Sequence, residues 1–366
     1  MKALLLGDVS PTPTTTSLFQ KKDIHALFGE TISLFEGNDI NLVNLECALT
    51  ERDCAIQKIG PALKAPIETA EVLREIGVNY CGLSNNHIFD FGKAGIRDTK
   101  QALENAGIIY TGFGENTDDA RKDLVIDQNG EKITVITVCE REYNYALSDR
   151  MGTRVYDEYD TIEDIRNAKA ASDRVIVLYH GGKEHCKFPS PRLRKLCHAM
   201  AKNGADIIVC QHSHCIGCYE EINGCHIIYG QGNFHFIRDS KIIPSESNFG
   251  MWNTSLAVLY DTKANTVSFR SLIAKEDCCG LRYTTQAEHD RIMEEFAARN
   301  EMLQNGAWID GWRAFCKVVG KSYTERAYSE CSTPKQKEIF AHYLDCEAHT
   351  DVWRELFPTK NLTNEK

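Results

Sequence analysis

The feature that most constrains the fold of this chain is the alternation of short apolar runs with segments of helical periodicity. Seven of the runs are typical of strands, namely Lys2–Leu6, Ile40–Leu45, Val78–Gly82, Ile108–Thr111, Ile133–Cys139, Arg174–Tyr179 and Asp206–Cys210. Between them, apolar residues recur at helical spacing in Ile67–Ile76, Ala94–Ala106 and Pro191–Asn203. Because strands that alternate with helices build parallel sheets, the pattern predicts an α/β fold.

The pattern changes after Cys210. The runs Tyr219–Ile222 and His226–Tyr229 flank Asn223-Gly224, a dipeptide that favours a tight hairpin turn. A second hairpin is expected from Ser255–Tyr260 to Thr266–Ile273. From about residue 287 the sequence becomes helical and contains three of the four tryptophans. We therefore predict a domain with two sheets over residues 1–275 and a C-terminal helical extension over residues 276–366.

Composition excludes several classes of function. A net charge of −10, without any run rich in Lys or Arg, argues against binding to nucleic acid or to an anionic membrane. No run of about 18 or more apolar residues predicts a membrane span. The apolar Met1–Leu6 segment ends at Gly7-Asp8 without the cleavage site of a signal peptide. These features, with 15 scattered cysteines, predict a cytoplasmic protein with free thiols.

Side chains able to bind metal follow five of the predicted strands. Asp8 follows the first strand, Glu46 the second, Asn86-His87 the third, His180 the sixth, and His212 and His214 the seventh. Because loops at the carboxyl ends of strands in an α/β sheet meet along one edge, these side chains are expected to converge. Such ligands suit a pair of hydrolytic divalent metals. On an extended strand, His212 and His214 would point the same way.

Six motifs occur in the order of a known family. They are Gly7-Asp8, Asn44-Leu45-Glu46, Asn85-Asn86-His87-x-x-Asp90-x-Gly92, His180-x-Gly182-x-Glu184, His212-x-His214 and Tyr229-Gly-x-Gly232-Asn233-Phe234. Through them, residues 1–275 resemble the CapA family of bacterial capsule or poly-γ-glutamate synthesis proteins, which is similar to calcineurin-like metallophosphatases. The resemblance implies a four-layer α/β/β/α metallophosphatase-like sandwich, followed here by the C-terminal helical segment.

The resemblance also implies a role for each candidate residue. Glu46 would bridge two metals about 3.5–4 Å apart. Asp8 and His214 would hold the first metal, and Asn86, His180 and His212 would hold the second. His87 would stay unbound as the general acid, because an unperturbed histidine pKa of about 6.5 suits proton transfer at neutral pH. The mixed ligands favour manganese, iron or zinc.

Three positions leave alternatives open. Glu184 either acts in the site, by orienting a ligand histidine or binding substrate, or faces solvent. The metallophosphatase pattern has Asp-x-His on the first strand, whereas this chain has Asp8-Val9-Ser10. Water, Ser10 or Thr12 would then have to replace an imidazole. Glu46 stands where an Asp is usual, which would change the spacing of the metal pair. With both departures, the alternatives to two bound metals are one metal, or metal that binds only with substrate.

Two further motifs have competing interpretations. Asp90 is expected to cap the helix that begins near Lys93, and contact with substrate is the alternative. Cys210, Cys215, Cys218 and Cys225 surround the histidine motif, and Cys215-Ile-Gly-Cys218 could serve as a structural zinc site or a redox pair. A zinc ribbon needs a second CxxC, which is absent. Buried free thiols are therefore the expected state.

The prediction is a CapA-like metal-dependent hydrolase. Metal-activated water would attack a phosphoester, or an amide of an acidic polymer such as poly-γ-glutamate or a capsular glycan. The alternative is a non-enzymatic polymer-binding or assembly protein with a degenerate metal centre, which Ser10 in place of a histidine would favour. Both functions call for a small-molecule or anionic-polymer partner, and both leave the oligomeric state open.

Overall fold

The computed structural model describes residues 1–239, 251–327 and 333–357. Its strands are β1 (Lys2–Val9), β2 (Ile40–Leu45), β3 (Ala48–Leu49), β4 (Lys64–Ala65), β5 (Tyr80–Gly82), β6 (Ile109–Thr111), β7 (Phe113–Gly114), β8 (Leu124–Gln128), β9 (Glu131–Cys139), β10 (Gly152–Thr153), β11 (Arg174–His180), β12 (Ile207–Gln211), β13 (Tyr219–Ile222), β14 (Cys225–Ile228), β15 (Asn233–His235), β16 (Thr254–Asp261), β17 (Thr266–Ala274) and β18 (Leu281–Tyr283).

The helices of the first 239 residues are α1 (Thr16–Gln20), α2 (Ile24–Phe28), α3 (Thr69–Glu75), α4 (Gly92–Ala106), α5 (Thr117–Ala120), α6 (Asp160–Ala171) and α7 (Pro191–Lys202), with a 3-10 helix over Gly29–Phe35. The described C-terminal helices cover Gln286–Asn305, Trp308–Ala327, Pro334–Asp345 and Glu347–Leu356.

The larger sheet has the strand order β18-β17-β16-β1-β2-β5-β6. Strands β1, β2, β5 and β6 are parallel, whereas β16, β17 and β18 extend the sheet in antiparallel fashion. Strand β15 pairs in parallel with the end of β1, so Asn233 lies opposite Asp8. The carboxyl ends of β1, β2 and β5 therefore face the same edge of this sheet.

The second sheet has the order β13-β14-β12-β11-β9-β8. Its four inner strands are parallel, and β8 and β13 form antiparallel edges. His180 is the last residue of β11, and His212 directly follows β12. Both histidines thus stand at the carboxyl edge of the second sheet.

Alternating side chains along the central strands belong to the three large clusters of the core, beside a small fourth cluster of Ile216, Leu256 and Phe296. Leu5 of β1 and Ile176 of β11 belong to a buried cluster that both sheets share. Leu4 belongs to a second cluster, which includes residues of α1 to α4. Val177 belongs to a third, which includes residues of α6, α7 and the C-terminal helices. Because successive strand residues point to opposite faces, each sheet packs against the other on one face and against helices on its other face.

All seven predicted strands and all three predicted helices are present, with ends shifted by at most three residues. Strand β1 runs on to Val9, past the predicted Leu6, and helix α4 begins at Gly92 instead of Ala94. At the start of α7, the Ser190 hydroxyl accepts a hydrogen bond from the backbone N–H of Leu193 at 3.1 Å. This is the cap that Ser190-Pro191 predicts. The mixed α/β fold with two central sheets is confirmed.

The hairpins and the C-terminal helices also follow their patterns. Asn223 and Gly224, both with positive φ, join β13 to β14. Trp308 and Trp312 are buried in the cluster that includes strands of the second sheet. The division at residue 275 stays a prediction, and residues 358–366 of the extension lie outside the described residues. No described helix combines the length and apolar character that crossing a bilayer would require.

Candidate metal centre

Asp8 is held in place from two sides. Its Oδ1 accepts a hydrogen bond from Asn44 Nδ2 at 2.7 Å, and its Oδ2 accepts one from the backbone N–H of His212 at 3.2 Å. Burial raises the pKa of Asp8, but hydrogen bonding to His214 and the charge of His180 outweigh it and bring the pKa down to about 2. Asp8 is therefore an ionised carboxylate at the point where the two sheets meet.

Glu46 is the most unusual group of the site. It follows β2 and is fully buried, yet neither carboxylate oxygen has a hydrogen-bond partner among the described residues. Its Oε1 lies 3.2 Å from His180 Nε2, outside hydrogen-bond geometry, and its Oε2 lies 4.0 Å from His214 Nδ1. Burial and the charge of Asp8 raise the pKa of Glu46 well above its usual value. Because unsatisfied buried carboxylates are costly, the site fits a cation beside Glu46.

His180 is the centre of the second candidate ligand group. Its Nε2 lies 3.0 Å from Asn86 Oδ1, 3.2 Å from His212 Nδ1 and 3.2 Å from Glu46 Oε1. A ring nitrogen carries at most one hydrogen, so these contacts cannot all be hydrogen bonds. Burial lowers the pKa of His180 to about 4 and that of His212 to about 3, which leaves both rings neutral, as metal ligands must be.

A first candidate group adjoins the second through Glu46. One ligand atom each from Asp8, Glu46 and His214 lies within 4.8 Å of the others, and the same holds for Glu46, His180 and His212. The structure thus brings together all six residues that the sequence suggests as ligands, with Glu46 in both groups. Their roles as ligands stay predictions.

Asn233 also belongs to the site, although no role was predicted for it from the sequence. Its Oδ1 lies 2.8 Å from His214 Nδ1, which is itself 3.5 Å from Asp8 Oδ2. The amide oxygen therefore stands beside the first group, where the sequence suggested water, Ser10 or Thr12 as a replacement for the missing imidazole. Asn233 belongs to the Gly232-Asn233-Phe234 motif, and this position in a family motif was the feature of the sequence that could have indicated a role in the site.

The expectation that His212 and His214 lie on an extended strand is wrong. Strand β12 ends at Gln211, and both histidines have left-handed backbones, with φ of 82° and 53°. Each such residue costs about 1–3 kcal/mol, and such strain clusters at functional sites. The turn directs His212 toward His180 and His214 toward Asp8, so the two rings reach different groups.

His87 lies beside the six residues and is oriented by a buried ion pair. Its Nδ1 is 2.7 Å from Asp90 Oδ2, and Asp90 Oδ1 is 2.5 Å from Lys58 Nζ. Burial lowers the pKa of His87, an effect larger than the opposing hydrogen bond to Asp90. If Nδ1 donates its hydrogen to Asp90, Nε2 is left for another partner.

The prediction that Asp90 caps α4 is wrong. The N-cap position belongs to Phe91, and no side chain caps this helix. Asp90 is fully buried and accepts a hydrogen bond from the backbone N–H of Leu63 at 2.7 Å, besides contacting His87 and Lys58. Its carboxylate therefore orients His87. Lys58 comes from an irregular loop between β3 and β4, where no periodic pattern announces a partner.

A cavity of about 360 Å³ opens next to the site. Asn86, His87, His212 and Glu184 line one side of it. The other walls come from loops and from the last two described helices, and include Lys58, Glu142, Tyr143, Lys183, Lys335, His342, Tyr343, Cys346 and His349. A larger cavity of about 570 Å³, lined by Glu140 and Arg192, contains none of the predicted ligands. The smaller cavity is the one that reaches the candidate ligands.

Glu184 lies at the cavity wall with 42% of its side chain exposed. Its closest ionic partner among the described residues is His185, 3.8 Å away, and not one of the candidate ligands. Burial raises the pKa of Glu184, but the charge of Lys183 and the neighbouring histidines outweigh it, so the pKa is lowered. This geometry favours contact with substrate or solvent over orientation of a ligand histidine.

The cysteines around the histidine motif are free thiols and not a disulfide pair. Cys210, Cys215, Cys218 and Cys225 are buried free thiols, as expected. The Cys215 and Cys218 thiols donate to the backbone carbonyls of Cys186 and Lys187. Among the described residues, several groups of His, Cys, Asp and Glu have a spacing that suits a metal ion. None of these groups includes any of the four cysteines.

With this geometry established, comparison with known proteins identifies the family. Residues 2–238 match the sequence profile of the family described as bacterial capsule synthesis protein PGA_cap. This chain belongs to that family. The match covers every candidate ligand and His87, and it confirms the resemblance to the CapA family that the six motifs carry.

Named relatives of the chain are identical to it at up to about a third of the aligned positions. The chain is 32% identical over 180 residues to the capsule biosynthesis protein CapA of Bacillus anthracis, across 48% of this chain and 44% of that protein. It is 28% identical over 253 residues to the PGA biosynthesis protein CapA of Bacillus subtilis, across 66% and 67%. The chain thus spans less than half of the Bacillus anthracis protein.

A third relative and one solved structure extend the comparison. The chain is 26% identical over 299 residues to a probable polyglutamine synthesis accessory protein of Mycobacterium tuberculosis, across 74% of this chain and 77% of that protein. A hypothetical protein from Thermus thermophilus aligns over 74% of this chain and 98% of its own, with 15% identity and a TM-score of 0.46.

Proposed function

We propose that the protein is a metal-dependent hydrolase with a binuclear centre. The observation that carries the proposal is Glu46, a fully buried carboxylate without hydrogen-bond partners among the described residues, which two ligand groups share. Asp8, His214 and Asn233 would join it on one cation, and Asn86, His180 and His212 on the other. In this proposal the two sheets and their flanking helices form the four-layer sandwich of a metallophosphatase.

Manganese, iron and zinc suit this set of carboxylate, amide and imidazole ligands better than calcium or magnesium does. When bound, two such cations would acidify a water molecule and polarise the substrate. The protein prepares the site for this chemistry. Asn44 and the backbone of His212 fix Asp8, and burial keeps His180 and His212 unprotonated.

His87 is proposed as the residue that transfers a proton to the leaving group. The hydrogen bond between Nδ1 and Asp90 fixes the ring and leaves Nε2 for the substrate. The Asp90 carboxylate also stabilises the protonated ring, whereas burial and Lys58 oppose protonation. Because the net effect lowers the pKa of His87, the protonated ring that would donate is favoured at acidic pH.

Lysines on the cavity walls would contact an anionic substrate, in a cavity that Glu142 and Glu184 also line. Lys183 and Lys335 line it, and neither forms a salt bridge within residues 1–239, 251–327 and 333–357. Their positive charge would attract phosphate or carboxylate groups. Names of relatives refer to capsule, PGA and polyglutamine synthesis. We therefore propose that the substrate is a phosphoester or an acidic polymer such as poly-γ-glutamate.

The test is hydrolysis by protein purified without chelator and supplied with manganese. A generic phosphodiester and γ-glutamyl oligomers serve as substrates. We expect turnover that EDTA abolishes and that His87→Asn reduces, while metal content stays unchanged. His25→Asn, at an exposed histidine on α2, is the matched control. If the metal-loaded protein turned over neither substrate, that result would count against the hydrolase.

A second candidate function is assembly of an acidic polymer without hydrolysis. It is favoured by the first ligand group, in which His214 Nδ1 lies 2.8 Å from Asn233 Oδ1, so that these two atoms would be hydrogen-bonded to each other instead of bound to a metal. The names of two relatives, a biosynthesis protein and an accessory protein, point the same way. Calorimetric titration with poly-γ-glutamate in EDTA separates the two. Binding without metal, together with absent hydrolysis, would favour assembly.

A further inference from the structure

Three side chains of the types that bind metals lie at the C-terminal helices, in a group separate from the candidate ligands but lining the same cavity. One ligand atom each from His342, Cys346 and His349 lies within 4.8 Å of the others. The family match ends at residue 238, so this group lies outside it. Cys346 is buried and the two histidines are partly buried.

Local sequence explains why the three side chains meet. Thr333 and Pro334 start one helix with a capping box, and this helix ends at Asp345. Cys346 has an extended backbone, with φ of −86° and ψ of 129°, and the next helix starts at Glu347. The group therefore sits at the corner between two helices, with one histidine on each arm and the cysteine between them.

Neighbouring side chains fix both imidazoles. The ring of Tyr143 stacks on His342, with centroids 5.0 Å apart and planes at 12°. The Tyr323 hydroxyl is hydrogen-bonded to Nδ1 of His349, which leaves Nε2 of that ring for another partner. Such orientation of an imidazole by a hydrogen bond to its other nitrogen is usual at metal sites.

A carboxylate from the loop after β9 lies beside the group. Glu142 Oε1 is 3.4 Å from His342 Nε2, and both side chains are only 12% exposed. Glu142 follows β9 in the loop that also carries Tyr143. Three donors, two nitrogens and one sulfur, thus lie within 4.8 Å of one another, and the carboxylate adjoins them at His342.

We propose that His342, Cys346, His349 and Glu142 form a zinc site. Two imidazoles, a thiolate and a carboxylate are a tetrahedral ligand set typical of Zn²⁺, with bonds of about 2.0–2.3 Å. Binding would release the proton of the Cys346 thiol to solvent. The thiolate distinguishes this site from the binuclear centre, whose candidate ligands include no sulfur and suit harder cations equally well.

The site would tie the C-terminal helices to the main domain. His342, Cys346 and His349 line the same cavity as Asn86 and His87. A cation bound to them and to Glu142 would fix the corner of the helices against the loop after β9. The outer wall of the substrate cavity would then be held by metal coordination, in addition to apolar packing.

Cobalt(II) titration of the metal-free full chain tests the site. Cobalt bound to a thiolate gives a charge-transfer band in the near ultraviolet, and the binuclear centre cannot give it because it lacks a cysteine. We expect the band in the wild type, its bleaching by added zinc, and its loss in Cys346→Ser. Cys316→Ser removes a buried thiol outside the group and should keep the band.

The outcomes are separable from those of the proposed function. Glu46→Gln should keep the band, because it alters only the binuclear centre. Absence of the band in the wild type, or an unchanged band in Cys346→Ser, would overturn the zinc site whatever the hydrolase assays show. Should Cys346→Ser fail to fold by circular dichroism, His349→Ala decides, since it retains the thiol but should shift and weaken the band.

Discussion

Glu46→Gln is the substitution whose outcome follows most directly from the geometry of the metal centre. The carboxylate is fully buried without hydrogen-bond partners among the described residues, and burial together with Asp8 raises its pKa well above the usual value. Glutamine has nearly the same size and no charge. The substitution therefore removes the buried charge while it preserves the surrounding packing.

In metal-free protein we expect the variant to be more stable than the wild type above neutral pH. Glutamine keeps a buried polar group but cannot ionise, so the expected gain in unfolding free energy is the cost of ionising Glu46, about 1.4 kcal/mol for each unit by which its pKa is raised. The folded wild type binds the Glu46 proton more tightly than the unfolded chain does. Its stability is therefore full below the unfolded pKa and falls as pH rises through the folded pKa, by at most about 1.4 kcal/mol per pH unit. In Glu46→Gln, this dependence of stability on pH should be absent.

With manganese the order should reverse. A ligand present at about 100 times its Kd stabilises the folded state by about 2.7 kcal/mol, and only the wild type keeps the carboxylate that would hold both cations. Urea unfolding in EDTA and in manganese, followed by circular dichroism, measures both effects. Glu163→Gln, at an exposed position of α6, is the control and should follow the wild type. Equal manganese shifts and equal pH slopes in the wild type and Glu46→Gln would refute the reasoning.

The remaining predictions concern proton transfer, substrate charge and metal uptake. His87→Asn should lower turnover on a substrate with a poor leaving group by about 10²–10⁴-fold at unchanged metal content, as measured by steady-state kinetics and elemental analysis; full turnover would exclude the acid role. Lys183→Ala should raise the KM for an anionic polymer about fivefold with kcat unchanged, whereas the exposed Lys202→Ala should not, and equal effects would remove Lys183 from the cavity's function. Burial lowers the pKa of His214, but Glu46 and Asp8 outweigh it and raise the pKa to about 9 in the metal-free protein, so manganese must displace a proton. Affinity should then rise up to about tenfold per pH unit between pH 6.5 and 9, and calorimetry in two buffers should detect the released proton; a pH-independent affinity would contradict this.

Much of the fold and of the metal centre is predictable because both depend on local periodicity. Strands that alternate with helices place their carboxyl ends along one edge, so Asp8, Glu46 and His180 could be expected to converge. Strand boundaries shifted by only a few residues, which leaves each candidate ligand at or just past a strand end. Glu46 lies between the two ligand groups, where the family resemblance places it.

The parts that sequence did not predict depend on contacts between distant segments. Asp90 has the residue type and position of a helix cap, but its carboxylate forms a buried ion pair with Lys58 instead. Lys58 lies in an irregular loop, and no sequence pattern indicates that this loop contacts Asp90. Left-handed backbones at His212 and His214 follow from the turn after β12, which alternation along a strand cannot anticipate. The approach of Cys346 to the cavity depends on tertiary packing of the C-terminal helices, for which periodicity specifies no partner.

The binuclear centre is tested most directly by anomalous scattering from crystals grown with manganese. Two anomalous peaks, about 3.5–4 Å apart and on opposite sides of the Glu46 carboxylate, are the predicted result. One peak should lie next to Asp8 and His214, and the other next to His180 and His212. A map without any peak beside Glu46, from protein that retains manganese in solution, would contradict the metal centre.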